Sequence, residues 1–157
     1  MSSEHKTNGT RTVETTIRID DVAPERVIEA FLREDDLTAW WHVSRSLVEP
    51  VAGGAWSVAW DAYGENHTNH SWCGVVRELE AHRLLIAPLV QNEPDRPLFG
   101  PLALEIVTEP NVGGATLTVR HHGYQRGEHW DWLHDAVVRG WAGVLTDMKT
   151  WFERAQP

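Results

Sequence analysis

Between Trp130 and Phe152 the apolar residues Trp130, Leu133, Val137, Trp141, Val144, Leu145, Met148, Trp151 and Phe152 recur at intervals of three and four. That spacing predicts one amphipathic helix with a wide apolar stripe. About 26 residues at about 1.5 Å each make a rod of about 39 Å. A rod apolar along one side needs an equally long surface to cover, and the chain before it reads as strands. Thr12–Asp20 alternates, with Val13, Thr15, Ile17 and Ile19 on one face. Pro24 suits an early helical position and Asp21 a cap, so Val27, Ile28, Phe31 and Leu32 form a short amphipathic helix. Asp35 or Asp36 caps a second short helix carrying Leu37, Trp40 and Trp41.

Strand signals then recur, with Ser44–Glu49 the weakest. Ala52-Gly53-Gly54 reads as a turn before Ala55–Asp61, whose Trp56, Val58 and Trp60 share a face on a strand taken to be central. Tyr63–Asn69 is a polar loop. His70–Glu80 is a strand of ambiguous faces, with Trp72 and Val76 opposed to Cys73, Val75 and Leu79. Arg83–Val90 is an apolar strand, and the prolines and glycine of Gln91–Pro101 predict a loop. Leu102–Thr108 and Ala115–Gly123 complete the set around a turn at Pro110–Gly114, the last placing Leu117, Val119 and His121 together. Short turns between consecutive strands mean an antiparallel sheet of about seven strands, and segregation of strands from the long helix means α+β. A single domain spans residues 12–157, after a disordered tail at 1–11. A curved sheet gripping one helix leaves a gap, a natural place for a ligand.

Composition changes this picture in one respect. Apolar residues at 41% and charged residues at 24% are ordinary, but nine tryptophans are not. They imply either an aromatic core or an aromatic-lined cavity. A net charge of −9 without a basic run disfavours nucleic-acid partners. No apolar run reaches the length of a membrane span, and the polar N-terminus lacks a signal core. The lone Cys73 forms no internal disulfide, fits a reducing, cytoplasmic setting, and reads as an inert buried thiol.

His134 falls within about 20° of Trp141 on a helical wheel and so faces the sheet, while His121 shares an inward strand face. Two such histidines on opposite walls suit hydrogen bonding to a ligand oxygen, or acid and base roles. The alternative for each is a satisfied core residue or a place at the cavity rim. No metal or cofactor is expected: His121 and His122 point to opposite faces, His129 and His134 diverge by about 140°, and nothing completes a ligand set around His67 and His70. Asp131 and Asp135 read as a solvated face near the helix start. Hydrolase elbows and phosphate loops are absent from the sequence.

The chain resembles the SRPBCC superfamily (START-like, Bet v-like) with its helix-grip fold, and within it the bacterial branch named after the C-terminal domain of the activator of heat-shock protein 90 ATPase. The resemblance rests on Phe31 with Leu37…Trp40-Trp41, Gly53-Gly54, Gly74-Val75-Val76-Arg77-Glu78-Leu79 with Arg83-Leu84, Thr116-Leu117-Thr118-Val119 to His121 and Gly123, and Gly140-Trp141 with Leu145. It covers about Thr12 to Phe152. Where the family usually has two prolines, Ala81-His82 stand here, which alters a turn. The resemblance implies a deep cavity for lipids, polyketides, hormones or aromatic metabolites. It also implies that the true co-chaperone's separate N-terminal domain has no room in this chain. The expectation is binding of a small hydrophobic or aromatic molecule by a monomer or homodimer, lined by Trp41, Trp56, Trp60, Trp72, His121, His134 and Trp141. A cyclase- or hydratase-type enzyme using a histidine base, and a co-chaperone-like interaction module, are the alternatives.

Overall fold

The computed structural model describes residues 10–61 and 70–154. Seven strands form one antiparallel sheet in the order β1-β7-β6-β5-β4-β3-β2. They are β1 (Arg11–Asp20), β2 (Arg45–Val48), β3 (Ala55–Trp60), β4 (His70–Glu80), β5 (Arg83–Asn92), β6 (Phe99–Asn111) and β7 (Gly114–Tyr124). Two short helices, α1 (Pro24–Glu29) and α2 (Glu34–Trp41), follow β1, and α3 (Glu128–Arg154) ends the described chain. This is an α+β helix-grip architecture, with the sheet's inner face wrapped on α3 and closed at one end by α1 and α2. The expected tail lies outside the described residues at positions 1–9, and Arg11 already pairs in β1. The expected loop at Tyr63–Asn69 also lies outside them at positions 63–69.

Alternation puts Val13 and Ile19 of β1, Leu104 and Ile106 of β6, and Leu117 and Val119 of β7 into one core with Leu145, Met148 and Phe152 of α3. Gly53 makes the β2–β3 turn at φ 88°, and a Cβ on Gly54 would stand 2.3 Å from the Glu49 carbonyl, so this turn requires its glycines.

Several expectations are corrected. Asp21 does not cap α1. It occupies a turn at φ 58°, its N–H on Gly113 O at 2.7 Å, and the cap residue is Ala23. Phe31 and Leu32 fall in the turn after α1. For α2 the cap residue is Arg33, and Asp35 and Asp36 lie inside the first turn. Asp36 turns inward because Arg26 meets its carboxylate with two hydrogen bonds of 2.6 and 3.0 Å. The strand carrying Trp56 is not central, since β3 neighbours the edge strand β2. Cys73 is exposed, not buried. Trp72 and Val76 hold the inward phase of β4, which turns Cys73 out beside Ser57 at 3.3 Å. Gln91–Pro101 is not one loop: β5 runs through Asn92 and β6 starts at Phe99, leaving only positions 93–98 between them. Gln91 pairs with both Trp72 and Phe99.

Register shifts interrupt the regular pairing around β4 and β5. On β4 they fall between Gly74 and Val76 and between Val76 and Glu78, and on β5 between Ile86 and Leu89. Leu84 and Ile86 point inward at period two. The shift at Ala87-Pro88 changes that phase, so Leu89 and Gln91 point inward instead.

Candidate functional site: an indole-walled cleft between the sheet and the long helix

A cleft of about 310 Å³ separates the first half of α3 from β3, β4 and β5. Its sheet side is built by Trp60, His70, Trp72, Gln91 and Glu93, with Trp41 of α2 at its inner end. Its helix side is the stripe Trp132, Leu133, Ala136, Val137, Gly140, Trp141 and Val144, whose spacing repeats every third to fourth residue.

Trp41 is the hub of the aromatic wall. Its ring lies 5.2 Å from Trp60, 5.3 Å from Trp72 and 5.3 Å from Trp141, the first two edge-to-face. Edge-to-face contacts turn ring faces of neighbouring indoles in different directions, so the wall presents both faces and edges to the gap. Backbone carbonyls and a histidine fix these rings: Trp60 Nε1–H donates to Trp41 O at 3.1 Å and Trp141 Nε1–H to His121 Nδ1 at 3.3 Å. At the outer end His70 stacks on Trp60 with centroids 4.8 Å apart, and its Nδ1 lies 3.5 Å from Glu93. Arg96 covers the Trp132 ring at 3.8 Å and contacts His129 Nδ1 at 3.2 Å, tying the 93–98 loop to the helix start.

The structure places Trp41, Trp60, Trp72 and Trp141 of the expected lining residues around the cleft. Trp56, His121 and His134 stand apart from it. Trp56 is fully buried beneath Trp41 and donates to Phe31 O at 2.8 Å. His121 lies behind Trp72 and Trp141, its centroid 5.1 Å from the Trp72 ring. His134 is partly exposed, holds Asp135 at 3.1 Å and meets the edge of Tyr124 at 6.1 Å. At His134 the helix side chain meets Tyr124 at the end of β7, while the adjacent Leu133 lines the cleft.

His121 is neutral at ordinary pH. Burial, reinforced by the neighbouring His122, pushes its pKa down to about 3. An indole has only a donor to give, so Nδ1 is the acceptor and Nε2 carries the proton. Tyr124 OH lies 3.0 Å from Nδ1 and 2.9 Å from Gln91 Oε1, to which it donates. Burial, with the Glu93 charge, raises the phenol pKa well above its ordinary value, so Tyr124 stays protonated. This buried chain holds geometry and carries no ready base at neutral pH.

The sequence does not single out Gln91, Glu93 or Trp132, and it raises His70 only for a metal set that nothing completes. Trp132 adjoins the apolar stripe at Leu133, which was the available signal. Among the described residues no group of three His, Cys, Asp or Glu side chains could hold a metal ion. No described helix is long and apolar enough to cross a membrane.

A curved antiparallel sheet closed on a C-terminal helix with an apolar gap between them defines a helix-grip protein. The sequence matches the family model described as Activator of Hsp90 ATPase homolog 1-like protein over residues 21–153, and the chain belongs to that family. Solved structures share the fold. Protein CV1439 from Chromobacterium violaceum is 22% identical with a TM-score of 0.71, over 89% of this chain and 95% of its own. A protein from Rhodobacter sphaeroides is 18% identical with a TM-score of 0.73, over 93% and 95%. The AHSA1 protein from Silicibacter pomeroyi is 17% identical with a TM-score of 0.71, over 93% and 100%. No curated protein matches the chain. The fold supports a ligand-binding or co-chaperone-like module.

Proposed function

We propose that this protein binds a small hydrophobic, preferentially aromatic molecule in the cleft between α3 and β3–β5. The observation that carries the reading is the cleft itself: about 310 Å³ of space walled by Trp41, Trp60, Trp72 and Trp141. Ligand sites run from about 300 to 1,000 Å³. A space at the lower end suits a compound of two or three fused rings better than a sterol. Indole faces and edges favour flat ligands, since offset and edge contacts add to simple burial. His70 and Glu93 at the outer end and Gln91 on the wall supply the few polar groups that orient a guest. The neutral state of His121 weighs against that residue as the base of the enzyme alternative, because a group with a pKa of about 3 abstracts protons poorly at neutral pH, and His134 does not line the cleft.

The test is a thermal-shift screen against fatty acids, sterols, flavonoids and other polycyclic aromatics. A guest at 100 times its dissociation constant adds about 2.7 kcal/mol, a rise of about 5–11 °C for a domain of this size. Hits among flat aromatics, weakened by Trp132→Ala at the cleft mouth, are the expected outcome. A flat response to every class defeats the reading and moves the weight to the protein-interaction alternative.

A further inference from the structure

Gln91 is poorly explained as a core residue. It lies in the cleft wall of β5 with 0% exposure. A leucine fills such a position without polar demands, whereas an amide brings donors and an acceptor that each need a partner. Oε1 is used by the Tyr124 hydroxyl at 2.9 Å. Nε2 is buried and has no hydrogen-bond partner. Tyr124 gives its one proton to Oε1, which sets the amide's sense, and His121 Nδ1, 3.0 Å from the Tyr124 oxygen, takes the Trp141 N–H. These four side chains run from the helix through β7 to β5, and Gln91, in the cleft wall, is left with an unmatched donor.

We propose that the cleft selects aromatic ligands that carry a neutral carbonyl oxygen, and that the Gln91 amide is the group that reads it. This rests on the ligand-binding reading above and adds the polarity of the guest. A hydrocarbon guest leaves the buried N–H unpaired, while a carbonyl satisfies it, and sites built this way discriminate strongly between such analogues. Glutamine's terminal torsion is soft, so a small rotation turns Nε2 toward the cleft at the expense of some alignment of Oε1 with Tyr124. Bulk water does not reach Nε2, so a bond formed there works in a low-dielectric setting. Charge decides between kinds of acceptor. Glu93 lines the same cleft and the chain carries a net charge of −9, which opposes a carboxylate and leaves a ketone or similar neutral oxygen.

Three isosteric planar probes isolate the polar group: 9-fluorenone offers a carbonyl, fluorene a methylene, and carbazole an N–H donor. Calorimetric titration of the wild-type protein is expected to show fluorenone binding about tenfold tighter than fluorene, with carbazole no tighter than fluorene. Gln91→Met keeps the side-chain length and removes the donors. It should reduce the ratio of fluorenone to fluorene affinity to about twofold or less. The infrared carbonyl stretch of bound fluorenone should lie at lower wavenumber in wild type than in hexane, and this reading together with the wild-type ratio decides the matter if Gln91→Met fails to fold. Equal binding of all three probes overturns the carbonyl proposal and leaves the aromatic cleft standing. Preference for carbazole also overturns it. Binding of none overturns both.

Discussion

The long helix meets its sheet in two ways. From Leu145 to Phe152 it is seated. Leu145 and Met148 have no exposure, Lys149 Nζ donates to Arg18 O at 2.8 Å, and Glu153 accepts the Asp20 N–H at 3.2 Å. Arg26, already gripping Asp36, lies 5.7 Å over the Trp151 ring and 5.5 Å over Phe152. From Trp132 to Val144 the same helix stands off and leaves the cleft. The apolar stripe is continuous through both halves, but in the open half it includes the small Ala136 and Gly140. What faces the helix differs too. The seated half meets β1 and the short helices, which bring aliphatic side chains and hydrogen bonds. The open half meets β3–β5, where register shifts interrupt the regular pairing and rigid indoles pack chiefly on one another.

Leu145 and Leu133 test this contrast with one residue type on one helix. Leu145 has no exposure and no cleft beside it, whereas Leu133, at 2% exposure, borders the cleft. Truncating a buried leucine costs about 2–5 kcal/mol, most where the surroundings cannot accommodate the void. Leu145→Ala should fall at the upper end by denaturant unfolding. Leu133→Ala should cost at least about 1 kcal/mol less, because its void merges with existing space. Equal losses would mean that the two halves pack alike.

The seated end depends next on Arg26 and Asp36. Asp36→Asn keeps the shape but removes the charge that accepts both guanidinium bonds, whose interaction raises the Arg26 pKa. Hydrogen bonds to charged groups contribute about 1.5–3 kcal/mol, and the one-third exposure of Arg26 favours the lower figure. The loss should appear in stability while ligand binding at the far half is unchanged.

The open half carries its own pH signature through His121. Its folded pKa of about 3 lies below the ordinary 6.5, so the unfolded chain binds the extra proton between these values. Stability from this group is complete above about pH 6.5 and is lost as pH falls toward about 3, by about 1.4 kcal/mol per unit. From pH 7 to pH 5 the loss should reach about 2 kcal/mol, and His121→Asn should flatten that part of the curve. An unchanged slope in the variant would remove His121 as its source.

These halves were not equally legible in the chain. Spacings of three and four in α3, and alternation in β1, β6 and β7, are local patterns, and local patterns fix element type and core face. The cleft depends on parity and juxtaposition. Leu84 and Ile86 set a phase that would turn Gln91 outward, and only the shift at Ala87-Pro88 brings it in. Three prolines and a glycine made 91–101 read as loop, yet ladder pairing resumes at Phe99. His134 shares the angular position of Trp141, but a helical wheel holds no information about where the sheet ends. The tryptophans could be named as wall residues, while which rings fill and which line was set by packing. Trp56 fills and Trp60 lines, although both share one strand face.

Gly140 offers the finest test of the contrast, because its expected effects have opposite signs. It lies on α3 in the cleft wall, and a Cβ built on it meets nothing within 4 Å. Glycine in a helix interior costs about 0.5–1 kcal/mol relative to alanine. Gly140→Ala should therefore raise stability by up to about that amount while its methyl group takes ligand space. In the seated half a similar gain would carry no binding penalty. Unfolding and titration with the same aromatic guest measure both quantities. Higher stability with weaker binding is the result of an open half shaped for a guest. Higher stability with unchanged binding would place the ligand elsewhere than against this face of the helix.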